Sequence, residues 1–408
     1  MELRELRGME LAATRTIRKH DGWWWVPSQA GTGLYRVQIA KKFATCECPD
    51  FATRGGKCKH IFAATFVMRR EQGPDGSVTV TQSLTLSATT QTTYPQPWAA
   101  YNEAQTTEKE KFLVLLSDLC NGIPLGPQTE KNGRPRLPLS DMIFSATFKV
   151  YSTVSARRFM TDLREAHSKG FISKAPHYNS IFNYLENPEL TPLLKNLITQ
   201  SSLPLQSVET NFAADSSGFM TSRFSRWFDH KYGVEKTKAD WVKCHLMCGT
   251  KTNIVTAVEI NERHAHDGKV LPALATATAI NFTMTEVSAD KGYASKSNYD
   301  AIAKLGAVPF ISFPDSHKGQ GGGKWAEMYH YFNFRKQEFL QHYHKRSNVE
   351  STFSMMKRKF GDSIRSKTDT AMVNEVLCKV LCHNLVVLIH EMYELGIDPI
   401  FWNRPTIN

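Results

Sequence analysis

The sequence has few cysteines and no long hydrophobic run. Only 8 of its 408 residues are cysteine, which at this length argues against a small disulfide-stapled secreted fold and predicts reduced thiols. Its longest apolar runs, Phe112–Leu116 and Leu385–Ile389, are far shorter than the ~18 residues that a membrane-spanning helix needs. Residues 1–20 mix acids and bases without an apolar segment, so we expect no secretory signal and no membrane partner.

The sequence also has fewer acidic than basic residues. Lys and Arg total 50 against 39 Asp and Glu, which gives a formal net charge of +11 and a pI near 9.2. This balance favours a polyanionic partner, most often nucleic acid. Hydrophobic residues make up 41% and charged residues 22% of the chain, so it can bury a core and is not wholly disordered.

Composition divides the chain into segments. Residues 76–98 carry no charge and are rich in Ser, Thr and Gln, which is typical of a linker. Short strand-like runs precede this stretch, helical patterns follow it, and strand and helix patterns alternate beyond it. We therefore predict an α/β fold class with a helical region. The predicted segments are 1–75, small and strand-containing; 76–99, a linker; 100–205, all-helical; 206–395, α/β; and 396–408, a C-terminal tail.

The helical segment contains a basic stretch. Short basic helices separated by tight turns resemble a helix-turn-helix module, so we expect residues 100–205 to bind DNA. Gly133-Arg134-Pro135-Arg136 is similar to the core of an AT-hook, whose arginines enter a narrow minor groove. The alternative for Arg134 and Arg136 is a basic linker that touches phosphates or nothing.

Four potential metal ligands crowd into the first segment. Cys46-x-Cys48 is followed after nine residues by Cys58-x-His60, and three thiolates with one imidazole suit tetrahedral zinc. The spacing resembles the SWIM-type zinc finger, C-x-C-x(n)-C-x-H, and implies a small ββα unit. All four positions are filled by protein, so the predicted Zn²⁺ is structural. The alternative is four unrelated residues in a reduced protein.

Two carboxylates follow predicted strands. Asp215 comes after Phe212-Ala213-Ala214 and before a glycine, and Asp290 comes after residues 286–289 and before Lys291-Gly292. We expect each strand to end at its aspartate, which would expose both side chains at one sheet edge. Carboxylates brought together in this way need a cation.

A third carboxylate lies on a long helix predicted over residues 333–360. At 100° per residue, Tyr343, Arg346, Glu350 and Lys357 fall within a sector of about 60° beside an apolar stripe. This arrangement is typical of a helix that packs on a sheet and presents polar groups over the sheet edge. The alternative is a solvated helix face with unrelated charges.

The three patterns together resemble a known family. Tyr343-x2-Arg346-x3-Glu350-x6-Lys357 matches the Y-x2-R-x3-E-x6-K signature of a large group of DDE-type insertion-sequence transposases. Residues 290–293, DKGY, and 215–219, DSSGF, are similar to the second and first aspartate motifs of that group. The resemblance implies an RNase H-like core with a mixed sheet over residues 206–395. The 60 residues between Asp290 and Glu350 imply a compact core without a large insertion domain.

The resemblance also implies a chemistry. Asp215, Asp290 and Glu350 would bind Mg²⁺, or Mn²⁺, for DNA strand cleavage and strand transfer by two-metal phosphoryl transfer. Tyr343 and the basic residues Arg346 and Lys357 would hold DNA phosphates. The implied partners are double-stranded DNA, as element ends and target, and a second copy of the chain in a homodimer or higher assembly on DNA. We expect a cytoplasmic, DNA-associated protein from a prokaryotic source.

Several alternatives stay open. An RNase H-like nuclease would cut without strand transfer, and a catalytically silent or domesticated relative would act as a DNA-binding repressor. His264, His266 and Asp267 could approach the catalytic carboxylates or form a polar turn. The four cysteines outside the finger that fall in pairs are predicted to pack in the core: Cys244, Cys248, Cys378 and Cys382.

Overall fold

The computed structural model describes residues 3–29, 33–40, 43–71, 97–123, 137–221, 241–261, 267–314, 319 and 322–402. The chain divides into two compact units, Met1–Thr93 and Tyr94–Asn408.

The N-terminal unit is a four-stranded antiparallel sheet with helices. Helix α1 (Leu3–Thr14) precedes strands β1 (Arg18–His20), β2 (Trp23–Pro27), β3 (Leu34–Ile39) and β4 (Ala44–Cys46), which pair in that order. Helices α2 (Pro49–Arg54) and α3 (Lys59–Glu71) follow. The unit is therefore larger than the expected ββα finger. Its core lies between the sheet and the helices and includes Leu11, Trp24, Val26, Val37, Ile61 and Ala64.

The second unit begins with five helices. These are α4 (Trp98–Asn121), α5 (Leu139–Ser152), α6 (Ala156–Ser168), α7 (Tyr178–Leu185) and α8 (Leu190–Ser202). They do not form a core apart from the sheet. Their apolar faces pack together with the last helix, α14 (Asp369–Glu394), and with one face of the sheet in a single hydrophobic core.

The sheet of this unit is mixed. Its strands are β5 (Asn211–Met220), β6 (Trp241–Gly249), β7 (Val255–Asn261), β8 (Glu286–Ala289) and β9 (Val308–Ile311), in the order β7-β6-β5-β8-β9. The first three strands pair antiparallel, and β5, β8 and β9 pair in parallel. This confirms the predicted α/β class with a mixed sheet.

The other face of the sheet is covered by a second set of helices. These are α9 (Leu271–Ala279), α10 (Lys296–Lys304), α11 (Gly323–Phe334) and α12 (Lys336–Tyr343). Helix α13 (Ser347–Phe360) packs on the first face through Val349, Phe353 and Met356. The period-two alternation of β5 therefore divides it between two cores, with Phe212 and Ala214 on one side and Ala213 and Phe219 on the other.

Helix α14 is long and apolar enough to cross a membrane by length and composition. Within the fold, 89% of its most apolar window is buried. Cys378 and Cys382 lie on this helix and are both fully buried, as predicted. The helix contacts α4, α5 and α8. This is the burial expected of a central core helix.

Candidate functional site

Four potential metal ligands converge in the N-terminal unit. Cys46 ends β4, Cys48 precedes α2, and Cys58 and His60 lie at the start of α3. Their ligand atoms all lie within 4.8 Å of one another, and the Sγ atoms of Cys46 and Cys58 are 3.8 and 4.0 Å from Nδ1 of His60. A tetrahedral zinc site with bonds of about 2.0–2.3 Å has edges of roughly 3.5–3.8 Å. All four residues are buried, so the arrangement fits a closed structural site.

Local sequence explains how the second cysteine is placed. Cys48 is extended and caps α2, since the amide of Phe51 donates to its Sγ at 3.4 Å and Pro49 occupies the first helical turn. The amide of Cys48 donates in turn to Sγ of Cys46 at 3.4 Å. Gly55, at φ 64°, ends the short helix and returns the chain toward Cys58. The neighbouring Cys58 and burial raise the pKa of the Cys46 thiol, and burial raises the pKa of the Cys48 thiol; the two amide hydrogen bonds act against this rise.

In the second unit, the pairing of two strands sets the aspartates side by side. Strand β5 pairs in parallel with β8, with Ala214 opposite Ala289, and the next residues are Asp215 and Asp290. By strand alternation both fall on the face that packs against α13. The carboxyl ends of parallel strands thus bring the two predicted carboxylates to one edge of the pairing.

The expectation that the first strand ends at its aspartate is wrong. Strand β5 continues to Met220 because β6 pairs with it over its whole length, with Asp215 opposite Leu246 and Met220 opposite Trp241. Gly218 makes no turn. It lies under the indole of Trp241, where an added Cβ would be 3.0 Å from the ring. A side chain at this position would require the Trp241 ring to shift by a few tenths of an ångström.

The prediction of one helix over residues 333–360 is also wrong. The backbone breaks at Arg335, at φ −129° and ψ 49°, and a 3₁₀ turn over His344–Arg346 separates α12 from α13. Because the tighter turn changes the angle between successive side chains, Tyr343 and Glu350 do not share one ideal helical face. Arg346, the last residue of the turn, is thereby directed at the sheet.

Arg346 joins two of the three predicted catalytic carboxylates. Its Nη1 lies 3.1 Å from Oδ2 of Asp215, and its Nη2 lies 2.6 Å from Oε1 of Glu350. Burial raises the pKa of Asp215 from its ordinary value; the amide of Ser216 and Arg346 lower it, and Asp290 and Glu350 raise it again. The site therefore holds more negative charge than its surroundings favour, and a cation stabilises it.

The other two signature residues line the same region. Tyr343 is partly buried, burial raises its pKa, and the guanidinium of Arg346 lies 5.9 Å from its ring centre. Nζ of Lys357 donates to Oγ of Ser217 at 2.6 Å, two residues beyond Asp215 on the same face of β5. The structure thus brings all four signature side chains to one region around Asp215 and Ser217 of β5.

Glu286 is a residue of this region that the sequence analysis missed. Its carboxylate lies 2.8 Å from Nδ1 of His342 and 2.7 Å from Nζ of Lys345, and these hydrogen bonds lower its pKa against the opposing effect of burial. The contacts fasten β8 to the turn that carries Arg346. Glu286 lies on the same face of β8 as Asp290, four positions earlier, which is the signal that could have found it.

Asp267 supports the first aspartate from the opposite face of the sheet. It forms an ion pair with Lys243 and accepts a hydrogen bond from Oγ of Ser216 at 3.2 Å, while the amide of Ser216 donates to Asp215 at 2.8 Å. Asp267 is therefore linked to Asp215 indirectly, through Ser216. Its predicted companions His264 and His266 lie outside the described residues, as do Arg134 and Arg136.

The two candidate metal regions differ in how close their potential ligands lie to one another. Within the ranges that the structure describes, the Cys46–His60 cluster is the one group of three or more His, Cys, Asp or Glu ligands close enough to share an ion. Asp215 and Glu350 are brought together through Arg346, and Asp290 lies beside Asp215 by strand register. The donor set of the second region is entirely carboxylate oxygen.

Comparison with known proteins assigns both regions. Residues 206–385 match the family model "Transposase DDE domain", and residues 35–67 match "SWIM zinc finger". Both predicted resemblances are thus confirmed at the level of the domain, while membership of the group with the Tyr-Arg-Glu-Lys signature stays a prediction. Curated protein sequences give no match. One similar solved structure is that of a piggyBac transposase synaptic complex with hairpin DNA, with 9% identity, a TM-score of 0.36, and coverage of 76% of this chain and 78% of that chain.

Proposed function

We propose that this chain, which carries a transposase DDE domain and a SWIM zinc finger, is a transposase that binds the ends of its own insertion element and catalyses DNA strand cleavage and strand transfer. The observation that carries the proposal is the convergence of three motifs. Asp215 and Asp290 directly follow the last paired residues of two parallel strands, and Arg346 connects Asp215 to Glu350.

The residues fit divalent cations. The guanidinium of Arg346 already bridges two of the carboxylates, which marks the position as one that attracts positive charge. Burial and neighbouring acids raise the pKa of Asp215, so its ionised form is stabilised by a bound cation. Carboxylate oxygens are the ligands that Mg²⁺ and Mn²⁺ prefer. Asp215, Asp290 and Glu350 would hold these ions.

When bound, two such ions would activate water or a 3′-hydroxyl and neutralise charge on the leaving oxygen. The side chains of the chain supply positioning. Arg346, released from the carboxylates, would pair with a DNA phosphate in bidentate fashion, and Lys357 would contact another. Tyr343, packed beside Arg346, would donate its hydroxyl hydrogen bond to the same strand.

The expected partners follow from the proposed reaction. Double-stranded DNA would be bound as element ends and as target, with residues 100–205, Arg134 and Arg136 contributing contacts. Two ends must be brought together, so we expect a homodimer or higher assembly on DNA. We propose structural Zn²⁺ in the finger, and a cytoplasmic, DNA-associated protein of prokaryotic source.

A cleavage and joining assay tests the proposal. Purified protein would be mixed with labelled DNA that carries the flanking ends of its gene, in Mg²⁺ or without divalent metal. We expect metal-dependent cutting and joining that Asp215→Asn abolishes. The matched control is Asp300→Asn, which changes an exposed aspartate of the same domain and should leave activity unchanged.

The opposite outcome favours the second candidate. Retained binding to the ends without cutting would indicate a catalytically silent DNA-binding relative that acts as a repressor. Cutting without joining would indicate a nuclease.

A further inference from the structure

The N-terminal sheet has an outer face that its core does not use. In β2, Trp24 and Val26 point into the core and are 2% and 0% exposed. Alternation therefore places Trp23 and Trp25 on the opposite face, where both are only partly buried. We call this surface the tryptophan face and define it by Trp23 and Trp25 with their cross-strand partners Arg18, His20 and Arg36.

Strand register places an arginine against both indoles. Arg36 pairs directly with Trp25, and its guanidinium lies 5.7 Å from the ring centre of Trp23 and 6.0 Å from that of Trp25. Glu47, the residue after β4, holds Arg36 in place. Its Oε1 lies 2.6 Å from Nη2 of Arg36, and Nε of Arg36 donates to its Oε2 at 2.9 Å. The Arg36 charge is thus largely balanced, and its flat group is held in place beside two flat rings.

Cations lie at the edge of the face. All three residues of β1, Arg18, Lys19 and His20, are exposed, and Arg18 lies opposite Trp25. The described acids nearby are Glu47, paired with Arg36, and Asp21, which lies 3.0 Å from His20. Lys19 pairs with Trp24 and lies 5.5 Å from its ring centre, on the other side of the sheet. Arg18 is therefore the residue of β1 that is available to an anionic chain on the tryptophan face.

These features identify one class of partner. Partly exposed indoles offer flat surfaces for stacking, and the adjacent guanidinium of Arg18 offers a phosphate contact, which is the combination that binds single-stranded nucleic acid. The bases of a duplex expose their edges but not their faces, so a duplex cannot use the indoles in this way. We propose that the tryptophan face binds an unpaired DNA strand. The proposal rests on the proposed function, which makes DNA the substrate and cutting the source of unpaired strands.

The test uses the full chain and two probes. A labelled 20-nucleotide oligothymidylate and a blunt duplex of equal length would be titrated by fluorescence anisotropy at one salt concentration without Mg²⁺. Trp23→Leu and Trp25→Leu should each weaken oligothymidylate binding by about 5- to 100-fold and leave duplex binding unchanged. Trp25→Tyr, which retains an aromatic ring, should restore most of the affinity.

Controls separate this proposal from misfolding and from the proposed function. Trp98→Leu changes a tryptophan that is 65% exposed in the other unit and should not alter binding. Zinc content should be unchanged in every variant, which shows that the finger is folded. Asp215→Asn should bind oligothymidylate normally, so this result can hold even if the cleavage assay fails. Equal loss of duplex and single-strand binding, or no loss of either, would overturn the proposal.

Discussion

In the N-terminal unit four buried ligands lie within 4.8 Å of one another, whereas in the sheet unit Arg346 lies between Asp215 and Glu350, and the Glu350 side chain is 55% exposed. The first region is assembled from backbone turns, a helix cap and the start of a helix. The second is assembled from strand β5, the residue that follows strand β8, and helix α13. A 3₁₀ turn immediately precedes α13.

This difference matches two uses of metal. In a structural site protein ligands fill every position, whereas a catalytic site keeps a position open for substrate or water. In the second region Arg346 supplies a counter-charge to Asp215 and Glu350, and we propose that this region is of the catalytic kind. The following predictions test that contrast in order of decreasing effect.

The finger should depend on its metal for folding. Cys58→Ser removes one thiolate of a closed set, and zinc binding contributes on the order of 10 kcal/mol to folding in small zinc units. We expect zinc to fall from about one atom per chain to none and the N-terminal unit to become sensitive to protease. Elemental analysis and limited proteolysis measure this. The control is Cys244→Ala, which changes a buried cysteine of the other unit. In this variant the finger should keep its zinc.

The sheet unit should lose activity without losing its fold. Glu350→Gln removes the charge of a carboxylate that we propose as a metal ligand, and we expect cleavage to fall by at least about 10³-fold, since charge stabilisation by a metal is worth several kcal/mol. Binding to DNA ends and the melting temperature should change little. Glu338→Gln, on α12, is the matched control. Parallel loss of cleavage and DNA binding would contradict the catalytic assignment.

Glu286 should act as a positioning residue. Glu286→Gln weakens its bonds to His342 and Lys345, and we expect cleavage to fall by roughly 3- to 10-fold, in keeping with the loss of charge-assisted hydrogen bonds. The Mg²⁺ concentration for half-maximal rate should rise, because the turn before Glu350 is less firmly held. Glu259→Gln, which breaks another surface pair, should leave that concentration unchanged. A lower rate with the same metal dependence would indicate a general structural defect.

The smallest effect is a shift in pH dependence. Arg346 lowers the pKa of Asp215 against burial, so Arg346→Gln should raise that pKa further. Since the ionised carboxylate binds metal, the acid limb of the pH–rate profile should move to higher pH. Lys357→Gln, whose amine contacts Ser217, should leave the acid limb in place and reduce the salt dependence of DNA binding by about one unit of slope.

Local spacing was enough to predict the cluster of three cysteines and one histidine and the aspartates that follow the paired strands. Cys46, Cys48, Cys58 and His60 are close in sequence, and short turns determine their geometry. The bounds of β5 could not be predicted in this way. Gly218 resembles a turn residue, but pairing with the distant strand β6 keeps it extended.

The prediction of a single helix over residues 333–360 was wrong for a related reason. The 3₁₀ turn over His344–Arg346 follows a helix that shows no terminating residue, and the turn is stabilised by Glu286, which lies about sixty residues earlier in the chain. Contacts between distant segments, rather than local propensity, direct Arg346 at the sheet. The exact partners of Arg346 therefore required the structure.

Strand β5 is held on two sides beyond Asp215. Strand β6 pairs with it to Met220, and Met220 also exchanges backbone hydrogen bonds with Asp362 and Ile364 after α13. Asp215 is therefore a fixed reference point in the middle of a braced strand. Glu350 lies in the first turn of α13, and its side chain is 55% exposed. If the two carboxylates change their separation, we therefore expect the Glu350 side chain to move rather than the sheet.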